Sequence, residues 1–289
     1  MDVQLIVGEL LKENVIKTFP TTIVQPTGGT MSKVYVLDDT YVIKSNLPQM
    51  IKVEYEFFQM YHSLKLFPRV LYISPTYDYM VYSYMKGTVA DQSIKKREVL
   101  EVLVEEVINH YTPGHNDGVW GWVDEPVYTW QAFLLNEVAE ASILIGSRLK
   151  SNDHQAVKDL VQEVSSGVTP YVIHGDLGFH NFIFSENQLS GVIDPTPVFG
   201  DPLYDLIYAF CSTPEDLTKE TLDGVVSFLN EDHKKDPYLL YGSVLIGLYL
   251  RLAACLKHHP DDIETYLKAW TYWLSIVFAY FGLKKARDS

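Results

Sequence analysis

The chain has 289 residues, 47% of them hydrophobic and 21% charged. That length holds one large or two modest domains, and the composition excludes disordered, collagen-like and disulfide-scaffold classes. With 37 acidic residues against 23 Lys and Arg the net charge is −14, which argues against general nucleic-acid binding and against docking on anionic lipid, and suits a cationic small substrate or plain solubility.

In chain order, short β-branched and aromatic runs at 23–27, 34–37 and 40–45 read as strands, punctuated by Gly28-Gly29 and Asp38-Asp39. Residues 48–66 read as a helix: Pro48 suits its first turn, and Met50, Glu54, Phe57, Tyr61 and Leu64 fall on one face. Strands follow at 69–74 and 79–84. From Lys86-Gly87 onward the pattern is helical, at 91–109, 129–149, 152–164 and from Pro202 to the end, interrupted by a β-rich island at 171–174, 182–184 and 191–194. The plan is a five-stranded sheet with one helix, residues 1–85, followed by a helical domain, 86–289, carrying a small β insert.

Cys211 and Cys255 lie in apolar helical stretches and read as buried hydrophobes of a reducing compartment. The start lacks a basic region followed by an apolar core, so no secretory signal and a cytoplasmic location are expected. Segment 269–282 is shorter than the roughly 20 residues a membrane span needs, and 238–256 carries Arg251; both are expected as buried helices, with no membrane partner.

The chemistry concentrates in one run. An apolar strand enters His174-Gly175-Asp176-Leu177-Gly178-Phe179-His180-Asn181, a second strand leaves it, and Gly191-Val192-Ile193-Asp194 brings another carboxylate to a strand end. Two carboxylates and an amide at adjacent strand ends are hard oxygen donors of the kind Mg²⁺ takes while keeping water and phosphate. Taken singly, each of them caps a turn as readily as it binds a metal.

The order His174-Gly175-Asp176, then Asn181, then Ile193-Asp194, then Gly200-Asp201-Pro202-Leu203-Tyr204-Asp205 resembles the aminoglycoside phosphotransferase and choline kinase family, distant relatives of protein kinases. The match runs without gaps from His174 to Asp205, and weaker matches begin at Thr27. The resemblance implies an α+β, protein-kinase-like, two-lobed fold with an N-terminal antiparallel sheet and a mainly helical C-terminal lobe. It also implies transfer of the γ-phosphoryl group of ATP, with Mg²⁺, to a hydroxyl of a small molecule; GTP stays open as donor. Asp176 is then the catalytic base, and Asn181 and Asp194 the metal ligands. His174 is expected as a structural hydrogen-bonder, with Asp201 and Asp205 anchoring the catalytic loop.

For the nucleotide, the resemblance places Gly28, Gly29 and Thr30 at the phosphates and Lys44 at the α- and β-phosphates. The helix carboxylate that pairs with Lys44 is Glu54 or Glu56. At 100° per residue these lie about 200° apart, and Glu54 shares the apolar face, so Glu54 is expected. Ser83 and Met85 fall where hinge backbone groups bond adenine, with Ile183 and Ile193 on the purine face.

For the acceptor, segment 110–130 holds Tyr111, Trp120, Trp122, Tyr128 and Trp130 with Asp117, Asp124 and Glu125. Aromatic faces with carboxylates suit a cation; a surface loop pinned by its aromatics is the other reading. His180 is a further contact candidate. Asp194-Pro195-Thr196-Pro197 departs from the aromatic and acidic residues often found after the metal-binding Asp. An aminoglycoside-like acceptor is expected, with choline-like amino alcohols, sugar-type metabolites and a catalytically silent nucleotide-binding relative as alternatives. The chain is expected to be a monomer or homodimer.

Overall fold

The computed structural model describes residues 2–26, 32–89, 94–114 and 118–287. In chain order its elements are α1 (Val3–Lys12), β1 (Ile23–Val24), β2 (Lys33–Leu37), β3 (Tyr41–Ser45), α2 (Pro48–Met60), β4 (Val70–Ile73), β5 (Tyr79–Ser83), α3 (Lys96–Glu106), β6 (Gly121–Trp122), α4 (Trp130–Ile145), α5 (Ser151–Val164), β7 (Tyr171–Ile173), β8 (Phe182–Ser185), β9 (Gln188–Val192), β10 (Val198–Gly200), α6 (Pro202–Cys211), α7 (Lys219–Val226), α8 (Pro237–His258) and α9 (Ile263–Arg287). They pack as two units, Met1–Ser93 with His180–Pro197, and Ile94–Phe179 with Val198–Ser289. Residues 86–89 and 180–197, which a division at 85/86 leaves with the helical part, thus pack with the first unit.

In the first unit five antiparallel strands form one sheet in the order β1-β2-β3-β5-β4. Asp38 and Asp39 turn the chain between β2 and β3 with left-handed φ of 49° and 45°, which Asp tolerates better than most residues. The sheet carries a helix the sequence reading lacked. Asp2 caps α1 by accepting the Gln4 N–H at 2.9 Å, and Ile6, Val7 and Leu10 seat that helix on Leu37, Ile43 and Val81. Helix α2 stops at Met60 rather than at 66. The chain turns there so that Phe67 packs edge-on to Phe57, with ring centres 5.2 Å apart. Its buried face is Ile51, Glu54, Phe57 and Phe58; Met50 and Leu64 are only half-buried.

Strands β8 and β9 complete this unit as a hairpin. Glu186 and Asn187 form its two-residue turn, both at positive φ (52° and 59°), the geometry that matches strand twist in a tight hairpin. The hairpin is tied to the rest of the unit by reciprocal bonds between Thr88 and Phe184, at 2.9 and 2.8 Å, and by Val192 N–H to the Leu66 carbonyl at 2.7 Å.

The second unit is helical around α8, which packs with α4, α5, α6 and α9. Helix α8 has 22 residues and a mean hydropathy of 1.8 over its most apolar stretch, long and apolar enough to cross a membrane; 61% of that stretch is buried inside the protein. Cys211 and Cys255 are buried thiols. The small sheet here is β6-β10-β7, antiparallel throughout; β6 and β10 are additions to the strands expected from sequence. The helix expected at 91–109 is confined to Lys96–Glu106. The buried Lys96 ammonium donates to the Phe210 and Thr213 carbonyls, both at 2.9 Å, at the C-terminal end of α6, where a cation complements the helix dipole.

Candidate active site

In the first unit the sheet and α2 bring three charged side chains together. Alternation along β3 turns Lys44 inward, and the phase of α2 turns Glu54 toward it. Lys44 Nζ lies 2.6 Å from Glu54 Oε2 and 3.0 Å from Asp194 Oδ1. Lys44 and Glu54 are both buried, whereas the Asp194 side chain is 45% exposed. Burial lowers the affinity of Lys44 for its proton, but Glu54 and Asp194 outweigh it and hold the ammonium above its ordinary value. Burial pushes Glu54 up to about 7 against the pull of Lys44; with that ammonium at 2.6 Å we take the pair as ionic. Glu54 Oε1 is buried with no hydrogen-bond partner. Glu56 lies on the exposed side of α2, 3.8 Å from Lys52.

Asn181 and Asp194 are positioned by the β8–β9 hairpin. The Ile193 N–H donates to the Asn181 carbonyl at 3.0 Å, which sets the two residues at neighbouring strand ends. Asp194 takes a left-handed φ of 56°, turning its carboxylate toward Lys44. One carboxylate and one amide suit a cation that arrives with its nucleotide: Mg²⁺ is held by one or two carboxylates, water and phosphate oxygens, not by an all-protein cage. No cluster of three or more His, Cys, Asp or Glu that could hold a metal occurs among the described residues.

The other expected nucleotide contacts are placed as follows. The Ser83 N–H donates to the Arg69 carbonyl at 2.9 Å, and the Ser83 hydroxyl accepts the Arg69 N–H at 2.9 Å, so the backbone N–H of Ser83 is already engaged within the sheet. The Met85 side chain lies across Gly191, where a Cβ would come within 2.7 Å of its Cε. Ile183 is buried and Ile193 half-buried in the same hairpin. Gly28, Gly29 and Thr30 lie outside the described residues, as does Asp117.

In the second unit the loop that begins at His174 is held by α6. Asp201 caps this helix, accepting the Leu203 N–H at 3.0 Å, with Pro202 in its first turn. The fully buried Asp205 accepts the His174 N–H at 2.8 Å, the Gly175 N–H at 3.0 Å and the Tyr111 hydroxyl at 2.6 Å. Burial nevertheless pushes its carboxyl up to about 7. His174 is buried, and its Nδ1 accepts the Asp176 N–H at 3.3 Å, a role within the loop. Gly175 turns the chain at φ 80°. Asp176 is half-buried, and its Oδ1 accepts the Tyr208 hydroxyl at 2.6 Å. The Phe179 N–H donates to Ser212 Oγ at 3.1 Å.

The described part of segment 110–130 is packed. Trp120 and Val127 exchange backbone bonds at 2.8 and 2.7 Å, and Trp130 is buried, stacked on Phe133 at 5.0 Å. Trp122 meets Phe133 edge-on at 5.5 Å. Tyr128, Asp124 and Glu125 are exposed, as is His180. The wall continues from Phe133 to Tyr204 at 5.9 Å and from Tyr204 to Tyr208 at 6.3 Å. Glu137 on α4 joins it: burial raises its carboxyl, while a hydrogen bond from Trp122 pulls the other way.

Sequence reasoning missed Tyr208, Ser212 and Glu137, and placed Tyr111 with the acceptor segment rather than on Asp205. The stripe Asp205, Tyr208, Ser212, at helical spacing of three and four, was a signal for two of them. Glu137 carries none, because its Trp122 partner belongs to a strand the sequence did not announce.

The sequence profile of the phosphotransferase enzyme family (APH) matches residues 22–235. No curated protein sequence matches the chain. Among solved structures, the streptomycin–ATP ternary complex of APH(2″)-IIa superposes with a TM-score of 0.59 at 18% identity, over 95% of this chain and 96% of that one. ADP-bound aminoglycoside phosphotransferase APH(2″)-Ib gives 0.59 at 18%, over 95% and 97%. The putative fructosamine-3-kinase from Thermobifida fusca YX-ER1 gives 0.59 at 15%, over 91% and 98%. With its protein-kinase-like fold and a family profile spanning most of its length, the chain belongs to the phosphotransferase enzyme family and is a small-molecule kinase.

Proposed function

We propose that this kinase transfers the γ-phosphoryl group of ATP, with Mg²⁺, to a hydroxyl of a hydroxylated amine of the aminoglycoside type. The observation that carries the reading is the buried Lys44 ammonium between Glu54 and Asp194. Withdrawing such charges from water costs several kcal/mol per ion, and apolar side chains would pack the same space without that cost. An ammonium held rigid by Glu54 is suited to gripping the α- and β-phosphates. Asn181 and Asp194 would hold the metal, which neutralises charge on the transferring group.

Asp176 then serves the acceptor. Its carboxylate takes the hydroxyl proton as the acceptor oxygen bonds to the γ-phosphorus. The bond from that phosphorus to the β–γ bridging oxygen breaks, and ADP leaves with the electron pair. The acceptor class rests on charge: a net −14, and Glu137 set among Trp122, Phe133 and Tyr204, favour a cation held against aromatic faces. The solved structures of this fold bound to streptomycin and ATP, and to ADP, support the same class of ligands.

The test is an ATP-consumption assay with kanamycin, choline and a fructosamine as acceptors, in Mg²⁺ and in chelator, for wild type and Asp176→Asn. Mg²⁺-dependent phosphorylation of kanamycin, lost by about 10²–10⁴-fold in the variant, is expected. Turnover of choline or the fructosamine alone would replace the acceptor class. Full activity in Asp176→Asn would remove Asp176 as the base.

A further inference from the structure

Helix α6 presents Asp205 and Tyr208 on one face, with its C-cap residue Ser212 in line with them, since residues three and four apart stack along a helix. They meet the catalytic loop in the same order. Asp205 takes the N–H groups of His174 and Gly175, Tyr208 reaches Asp176, and Ser212 takes the N–H of Phe179. Two of the three grip main-chain donors, which a fold must satisfy wherever they are buried. Tyr208 is different: it donates to a side chain, the carboxylate of Asp176, which is only half-buried and within reach of water. Neither the need to satisfy buried backbone nor the desolvation of Asp176 requires a phenol there.

We propose that Tyr208 is a positioning residue for phosphoryl transfer, its hydroxyl fixing the Asp176 carboxylate in the orientation that receives the acceptor's proton. The proposal rests on the reading of Asp176 as the base. The phenol is built to be rigid. Its ring packs on Tyr204 at 6.3 Å, and Tyr204 is wedged edge-on against Trp130 at 5.5 Å and Phe133 at 5.9 Å. At 2.6 Å the bond is a short O–H···O⁻ contact of the charge-assisted kind. The charged groups bearing on the phenol are Asp176 from the loop, Asp205 from its own helix and Arg251 from α8. Burial first, and then the charge of Asp176, hold the phenol well above its ordinary value, so it stays a donor throughout the working range of a kinase. A carboxylate held in one rotamer costs less to align with the attacking hydroxyl than one that samples several. The donor also stabilises the ionised form of Asp176, so that it stays a proton acceptor at lower pH.

The experiment compares wild type, Tyr208→Phe, Asp176→Asn and the double variant in Mg²⁺-dependent ATP hydrolysis, with water as the acceptor. Tyr208→Phe keeps the ring and removes only the hydroxyl. It should keep the melting temperature within a few degrees and the KM for ATP unchanged, lower kcat by about 10-fold, and move the acid limb of the pH profile to higher pH. The double variant should be no slower than Asp176→Asn, because the phenol acts through that carboxylate. A ¹³C NMR titration of the Asp176 carboxyl needs no turnover and should show it titrating at higher pH in Tyr208→Phe. Wild-type kcat, pH profile and titration in Tyr208→Phe, alongside a slow Asp176→Asn, would reduce Tyr208 to packing. An equal slowing by Tyr208→Phe in the Asp176→Asn background would show it acting by another route. An Asp176→Asn variant as fast as wild type would instead overturn the base assignment itself.

Discussion

The ammonium of Lys44 and the carboxylate of Glu54 meet at 2.6 Å, both buried, one from strand β3 and the other from helix α2. Removing one partner of such a pair strands the other in a low-dielectric interior and costs about 3–5 kcal/mol; replacing both with apolar residues of similar volume is often neutral or better. Stability and function therefore part company at this site.

The single variants Lys44→Met and Glu54→Leu should each lower the melting temperature and weaken Mg²⁺–ATP binding. The double variant should recover most of the melting temperature while nucleotide affinity stays weak, measured by calorimetric titration. Glu56→Ala should stay within about 0.5 kcal/mol of wild type, since its pairing with Lys52 is at the surface, at 3.8 Å. Nucleotide affinity restored in the double variant would mean that the pair serves the fold alone.

Asp205 gives a second test. Asp205→Ala removes the carboxylate to which two buried backbone N–H groups and the Tyr111 hydroxyl donate, at about 1–3 kcal/mol for each group that finds no replacement. Urea unfolding should show a loss of about 3–5 kcal/mol. The pH dependence is separable. The folded carboxyl is pushed up by burial from 3.8 to about 7, so its proton is held more tightly in the folded chain. Its contribution to stability is full below about pH 4 and is lost as pH rises through about 7. Asp205→Asn cannot titrate, so wild type should lose stability relative to it between about pH 4 and about pH 7. A constant difference across that range would mean that Asp205 is ionised throughout.

The phase of α2 was readable because only one of its two central glutamates shares a face with Phe57, and the positions of the strands along the first unit, though not their order in the sheet, followed from β-branched runs and turn residues. Helix α1 was not readable. It is a short amphipathic segment whose apolar face, Ile6, Val7 and Leu10, acquires meaning only against Leu37, Ile43 and Val81. Strand β10 was missed for a related reason: Val198–Gly200 is too short to show alternation, and its pairing with β6 and β7 is long-range. At the site, the polar residues of the contiguous loop 174–181 were visible as candidates, while the residues that bond to that loop, Tyr208 on α6 and Ser212 at its C-terminal cap, looked like ordinary helix residues until the loop was laid against them.

Two glycines should respond in opposite directions to alanine. Gly87 sits at φ 148°, and a Cβ there would fall 2.2 Å from the Phe184 carbonyl oxygen and 2.8 Å from Ile183 Cγ2. Backbone cannot yield as a flexible side chain does, so Gly87→Ala should push the 85–89 segment off β8 and break the Thr88–Phe184 pairing. A loss of about 2 kcal/mol or more is expected in thermal unfolding. Gly8 lies inside α1 with nothing within 4 Å of its added Cβ, and Gly8→Ala should gain about 0.5–1 kcal/mol. A neutral Gly87→Ala would show that the 85–89 segment re-seats without its pairing.

The last prediction concerns which carboxylates meet a cationic acceptor. Asp124 and Glu125 are exposed, where water and salt screen them strongly. Glu137 is half-buried, bonded by Trp122 and close enough to Tyr204 to raise its phenol. The ring series Phe133, Tyr204, Tyr208 leads from there to Asp176. A charge in that setting acts through a lower dielectric and attracts an amine more strongly than the surface pair does. Glu137→Gln keeps the shape and the acceptor oxygen for Trp122 while removing the charge. It should raise the KM for kanamycin by about 10-fold, equivalent to about 1.4 kcal/mol, with little change in the KM for ATP. Asp124→Asn with Glu125→Gln should change the KM for kanamycin by less than about two-fold at ordinary salt, and more at low salt, where screening is weak. An unchanged KM in Glu137→Gln, with a large change in the surface pair, would move the cation site out to the 123–126 turn.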